Sequence, residues 1–271
     1  MTRLLGCDFS SSPSNRKSIV LAWGAWRDQR LVIEHVQACT SLAAFAQALQ
    51  TPGPWVGGFD LPFGLPRELI TTLGWPDQWR PCIEYFASLS RAQIRETFKA
   101  FCDARETGRK FAHRATDIPA GSSPSMKWVN PPVAYMLHAG VPLMLQAGLD
   151  FPGLCEGDSQ RVALEAYPGW MARQLIGSRS YKSDDKAKQT PERLIARKDI
   201  LQGLVSGKQG VRLYLRPAQH DELVQDASGD KLDAVLCMVQ AAIAQQHHER
   251  GDPRYGLPPA MDPLEGWIIG V

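Results

Sequence analysis

Two short apolar runs that each close on an aspartate constrain this chain most. Arg3–Phe9 (RLLGCDF) and Trp55–Asp60 (WVGGFD) read as buried strands, bearing Asp8 and Asp60 at their carboxyl ends. Ser18–Trp26 (SIVLAWGAW) and Leu31–Val36 (LVIEHV) lie between them as two further strands, joined by a hairpin connection over Arg27–Arg30. Ser41 is a good N-cap for a short amphipathic helix reaching Gln50. That helix supplies the crossover that parallel pairing of the fourth strand on the first requires, which brings Asp8 and Asp60 to one sheet edge.

After the Pro-rich turn LPFGLP, about a hundred residues read as helices and loops. A fifth strand is predicted at Arg161–Ala166 (RVALEA), helices at Thr190–Val205 and Leu232–Gln246, and a short strand at the tail, WIIGV. The predicted architecture is one α/β domain over 1–271. It has a mixed sheet of strand order 3-2-1-4-5, helices on both faces, and a mainly helical insertion over Pro66–Gln160 acting as a lid or cap.

The other acids border apolar segments too. Glu165 lies in the fifth strand, and Asp230 and Asp233 open the last long helix, GDKLDAVLCM. Singly, such acids read as turn residues or helix caps. As an ordered set converging on one sheet edge they repel one another, and a divalent cation is the physical means of holding them together. Hard oxygen ligands suit Mg²⁺ or Mn²⁺. Asp233, one turn into an apolar helix, is the acid hardest to read as a cap; Asp233→Asn is expected to leave the fold intact or slightly more stable while removing metal binding.

Charge distribution points the same way. Ser90–Arg114 and Arg179–Lys198 each carry a net +4 in a chain of net +2, which leaves −6 elsewhere. Basic blocks on an acidic background suit nucleic acid or another phosphate-bearing substrate, with solvated helix faces as the competing explanation. Within or beside them, His113 is a candidate general acid or base, and Arg114, Lys127, Tyr181 and Lys182 are candidate phosphate contacts. Neutralising Arg114 or Lys182 is expected to weaken polyanion binding. Trp75, Trp79, Trp128 and Trp170 read as core residues first and base-stacking platforms second. His247 and His248 read as surface residues at a helix end.

Several function classes are excluded. There is no phosphate loop, no dinucleotide-binding glycine fingerprint and no nucleophile elbow. No run of about 18 apolar residues suits a membrane span. No signal-peptide stretch fits before Asp8, and six dispersed cysteines without a C-x-x-C pair predict free thiols in a reducing cytoplasm.

The segments GCDFSSS, GFDLPFGLP, HRATD, NPPVAYM, VALEAYPGW, SYKSDDKAKQ and GDKLDAVLCM, spread over nearly the whole chain, carry a family resemblance. The order of Asp8, Asp60 and Asp233 resembles the ribonuclease H-like fold. More closely, the chain resembles the domain of unknown function 429 family, described as predicted RNase H-like nucleases. The resemblance implies that Asp8, Asp60 and Asp233 are metal ligands, with Glu165 or Asp230 as a further ligand or a supporting group. It implies a metal-dependent nuclease in which Asp8, Asp60, Glu165 and Asp233 serve phosphodiester hydrolysis. Many RNase H-like enzymes carry Glu where this chain has Asp60, a shorter arm. The alternatives are a small-molecule phosphoryl- or nucleotide-processing enzyme on the same fold, and an inactive nucleic-acid binding protein.

Overall fold

The computed structural model describes residues 2–271. Strands β1 (Arg3–Asp8), β2 (Ile19–Arg27) and β3 (Arg30–Cys39) form an antiparallel meander. Helix α1 (Leu42–Ala48), capped by the Ser41 hydroxyl accepting from Ala44 N–H at 3.1 Å, leads to β4 (Trp55–Asp60), parallel to β1. Helices α2 (Arg67–Leu73), α3 (Trp79–Ser88), α4 (Arg91–Asp103), α5 (Asp117–Ala120) and α6 (Val133–Gln146) follow. Then come β5 (Leu149–Asp150), β6 (Asp158–Glu165), α7 (Pro168–Ile176), α8 (Pro191–Ser206), β7 (Arg212–Tyr214), α9 (Pro217–Gln225) and α10 (Asp230–Glu249).

The sheet is mixed, with seven strands in the order β5-β6-β4-β1-β2-β3-β7. This corrects the expected five-strand order in two respects: the short strands β5 and β7 extend the sheet at its two edges. Strands of two and three residues carry no readable alternation, so periodicity misses them. The tail WIIGV is not a strand. It is held instead by Ile269 N–H, which donates to the Glu165 carbonyl at 2.9 Å.

Alternation along the strands divides the interior into two layers. Leu4, Val56, Val162 and Leu164 face α7, α8, α9 and α10. Leu5, Cys7, Phe59 and Ala163 face α1, α2, α3, α4 and α6. The stretch expected as a lid therefore also forms a full core layer, with Phe86, Phe98 and Leu137 completely enclosed. Trp79 belongs to that layer, its indole N–H donating to the Phe63 carbonyl at 2.7 Å, while Trp75 and Trp128 pack against it.

Two glycines let α10 lie directly on the strands. A Cβ on Gly6 of β1 would stand 1.9 Å from the Ala234 carbonyl oxygen and 2.3 Å from the Met238 nitrogen. One on Gly58 of β4 would stand 2.4 Å from the Cys237 carbonyl oxygen. Backbone meets backbone here, so no rotamer change can relieve an added methyl. Gly6→Ala is expected to lose about 3 kcal/mol of unfolding free energy by overpacking, read by chemical denaturation. An unchanged midpoint would show that the helix shifts freely.

Candidate metal centre

Asp8 and Asp60 are direct register partners on the parallel pair β1–β4. Their position two residues beyond Gly6 and Gly58 puts them on the α10 face of the sheet. Asp233 lies in the first turn of α10, whose seating on the two glycines carries it to the same place. One carboxylate oxygen from each of Asp8, Asp60 and Asp233 lies within 4.8 Å of the other two. Asp233 is fully enclosed, Asp8 is buried and Asp60 half-buried. Among the described residues, no other group of His, Cys, Asp or Glu converges in this way.

Asp233 is also the anchor of a hydrogen-bond network. Its Oδ1 accepts from the Tyr181 hydroxyl at 2.5 Å, and its Oδ2 contacts the Lys182 ammonium. Buried Arg197 of α8 fixes this stretch by donating to the Tyr181 carbonyl and to the Val224 carbonyl, each at 2.7 Å. The expected role of Tyr181 as a substrate contact is thereby corrected: its hydroxyl is committed to Asp233.

The other expected ligands, Glu165 and Asp230, stand outside the three-carboxylate group. Glu165 pairs in register with Phe59, one residue short of Asp60, so it points to the opposite face of the sheet. There Arg114 grips it with two bonds of 2.7 and 2.6 Å, and Phe63 N–H donates to it at 2.9 Å. Arg114 also donates to Asp117 Oδ1 from Nε at 3.0 Å and from Nη2 at 2.9 Å. Arg114 is 2 % exposed and Asp117 fully enclosed, so Arg114 is first an internal counter-ion to two buried acids, although it also borders the cavity over Asp8 and Asp60. Asp230 stands outside the three-carboxylate group and pairs with Lys17 Nζ at 2.7 Å, because it opens the helix one turn before Asp233. His113 is exposed and Lys127 half-buried, and neither lines the cavity over the acids.

That cavity encloses about 330 Å³. Its charged lining comes from Asp8, Asp60, Lys17 and Lys182, and from the paired Arg114 and Glu165. Phe9, Leu61, Val133 and Met136 give it an apolar wall, and Ser122, Ser123 and Pro131 bring the helical segment over it. Lys17 is the cavity-lining cation that sequence reading missed. It sits in a Ser-rich turn after β1, where nothing but chain proximity to Asp8 marks it, and its ammonium also reaches Asp184 at 3.1 Å. Of the two basic blocks, one meets the site through Lys182. The other meets the loop after Asp8 through Arg91, which donates to the Ser11 carbonyl at 2.8 Å.

Burial and mutual repulsion set the charge state. Burial, with the Asp233 charge beside it, holds the Asp8 carboxyl well above the usual carboxylate range. Burial pushes Asp60 up to about 7, although Lys182 opposes the rise. Asp233 is also raised by burial, despite the Lys182 and Tyr181 contacts. Burial alone would lower the Lys182 ammonium, but Asp233 and its neighbours overcome this and raise it. One ammonium thus touches a cluster of three acids. Once deprotonated, that oxygen-only donor set fits a hard divalent cation.

A pH dependence follows, with a definite sign. A carboxyl whose folded pKa exceeds its unfolded value stabilises the fold when protonated, and that stability is lost as pH rises through the folded pKa. For Asp60 the window runs from the ordinary carboxyl value to about 7. The metal-free protein in EDTA should therefore melt higher at pH 5 than at pH 7.5. A divalent ion needs the deprotonated acids, so its stabilising effect should grow over the same interval. A flat melting temperature in EDTA would show that the acids stay ionised.

No helix among the described residues is long and apolar enough to cross a membrane. Comparison of the chain with family models, with curated proteins and with solved structures gives no match.

Proposed function

We propose that this chain is a metal-dependent nuclease of RNase H-like fold, belonging with the domain of unknown function 429 family, and that it hydrolyses phosphodiester bonds at Asp8, Asp60 and Asp233. The observation that carries this reading is the approach of those three carboxylates to within 4.8 Å on two adjacent strands and one helix. Mg²⁺ or Mn²⁺ bound there supplies an activated water and neutralises charge developing on the phosphate oxygens.

The chain's own groups have separate tasks. Asp8 and Asp60, fixed by strand register, present their oxygens side by side. Tyr181 holds Asp233 in one orientation through its hydroxyl. Lys17 and Lys182 supply positive charge at the cavity mouth, where an anionic phosphate enters. Phe9, Leu61, Val133 and Met136 keep bulk water from one side. The free thiols, five of the six buried, suit a reducing cytoplasm.

The wall formed by residues 122–136 favours a second reading, a nucleotide- or phosphoester-processing enzyme acting on a small molecule. A cavity of 330 Å³ is at the small end of ligand pockets. Hydrolysis of single-stranded and duplex oligonucleotides and of bis(p-nitrophenyl) phosphate, each with Mn²⁺ and with EDTA, tests both readings. EDTA-sensitive cleavage of an oligonucleotide supports the nuclease, and cleavage of the small ester alone supports the second reading. No Mn²⁺-dependent hydrolysis of any of them would refute both.

A further inference from the structure

The cation that touches the carboxylate cluster is the Lys182 ammonium, in contact with Asp233 Oδ2. Its charge also acts on Asp8 and Asp60. Its backbone is tied into the fold, while its side chain borders open space. Arg197, 4 % exposed, ties the Tyr181 carbonyl to α8, and Ser183 N–H donates to the Ala227 carbonyl at 3.1 Å. The Lys182 side chain, by contrast, is 40 % exposed and lines the 330 Å³ cavity.

Gly229 makes room for this arrangement. It precedes α10 with φ +81°, and a Cβ there would stand 2.7 Å from Lys182 Cβ and 3.0 Å from Cδ. The aliphatic stem therefore lies across the helix start, with the ammonium reaching past it to Asp233. A compact charge on a flexible four-carbon stem can leave one partner for another without moving the chain.

We propose that Lys182 is a resident counter-ion that a divalent cation evicts. In the metal-free protein its ammonium occupies the place beside Asp233 and offsets the negative charge of the cluster. When a divalent ion takes those three carboxylates, the ammonium leaves Asp233, turns into the cavity and meets an anionic oxygen of the ligand. The proposal rests on the reading that these acids hold a metal. It adds that metal and phosphate binding are coupled through one side chain, each strengthening the other.

Lys182→Met keeps the stem and removes the competitor. By isothermal titration the variant should bind Mn²⁺ about tenfold more tightly than the parent, the order expected for removing a partly exposed competing charge. In EDTA it should melt lower than the parent, and saturating Mn²⁺ should close that gap. Inorganic phosphate, titrated with Mn²⁺ present, should bind the variant more weakly than the parent. A residue that only supports the fold would not improve metal affinity when lost.

Labelling of the unaltered chain covers the case in which the variant does not fold. Acetic anhydride should modify Lys182, read by peptide mass spectrometry, several-fold faster in Mn²⁺ than in EDTA. Equal or weaker Mn²⁺ affinity in the variant, or labelling unchanged by Mn²⁺, would overturn the counter-ion proposal while leaving the metal site standing. A parent protein that takes up no Mn²⁺ would remove the metal site and this proposal together.

Discussion

Asp233→Asn should abolish the rise in melting temperature that millimolar Mn²⁺ gives the parent protein. The substitution keeps the side-chain volume, so the enclosed position in α10 stays filled. It replaces one of three carboxylates by a neutral amide, a weaker ligand, and removes one of the charges that make the site attractive to a cation. Loss of a supporting group alone typically costs 10- to 100-fold in metal affinity, so loss of a ligand should cost at least about 100-fold. Stabilisation by a bound ion follows RT ln(1 + [L]/Kd), so the shift should vanish at concentrations that saturate the parent. An equal Mn²⁺ shift in both proteins would remove Asp233 from the site.

The same variant also tests the network. Charge repulsion alone predicts a more stable metal-free protein once one acid is neutralised. Tyr181 and Lys182 reverse that expectation, because both bond to Asp233 and one is a cation left without its partner. With the ammonium partly exposed, the net effect should be a loss of about 1–2 kcal/mol in EDTA.

Arg114→Met should destabilise the fold more than any other single charge removal. The guanidinium joins three parts of the chain: Glu165 on β6, Asp117 at the start of α5, and the Glu265 carbonyl at 3.1 Å. Arg114, Glu165 and Asp117 are at most 3 % exposed, so two enclosed carboxylates would lose their counter-ion at once. Removing one partner of a buried ion pair typically costs 3–5 kcal/mol, and this value of about 3–5 kcal/mol should appear in urea unfolding at pH 8. Burial already raises the Glu165 carboxyl, and Arg114 is what opposes the rise. Without Arg114 the carboxyl climbs further, so protonation becomes the cheaper state and the deficit should shrink at pH 5. A deficit equal at both pH values would mean that water, not burial, surrounds these acids.

The two Asp-terminated strands were legible because strand spacing and a single capped helix leave parallel pairing as the economical solution. Asp233 was legible because an acid one turn inside an apolar helix has no solvated explanation. That Glu165 stands outside the three-carboxylate group was hidden by parity: strand ends look alike in sequence, yet one residue of register turns a side chain to the other face. The buried acids that Arg114 meets left no trace in the sequence, because a basic residue in a polar loop looks the same whether it meets phosphate or a carboxylate. Gly6 and Gly58 gave no signal alone, since only the distant Ala234–Met238 stretch reveals why they lack side chains. The edge strands β5 and β7 were too short to leave a pattern.

The direct seating of α10 on Gly6 and Gly58 would also act as a gauge of ionic radius for any cation held by Asp8, Asp60 and Asp233. Interior residues can drift in volume and shift by tenths of an ångström without changing the interval between β1, β4 and the helix axis, because main-chain atoms fix it. Ca²⁺ takes oxygens at 2.3–2.6 Å and Mg²⁺ at 2.0–2.1 Å, a difference well within the displacement that one methyl group at either glycine would force. For an ion held by Asp8, Asp60 and Asp233, discrimination by size would therefore be set at two positions with no side chain, two residues from the ligands on each strand. Homologues that keep all three carboxylates but carry alanine at either glycine should accommodate larger ions.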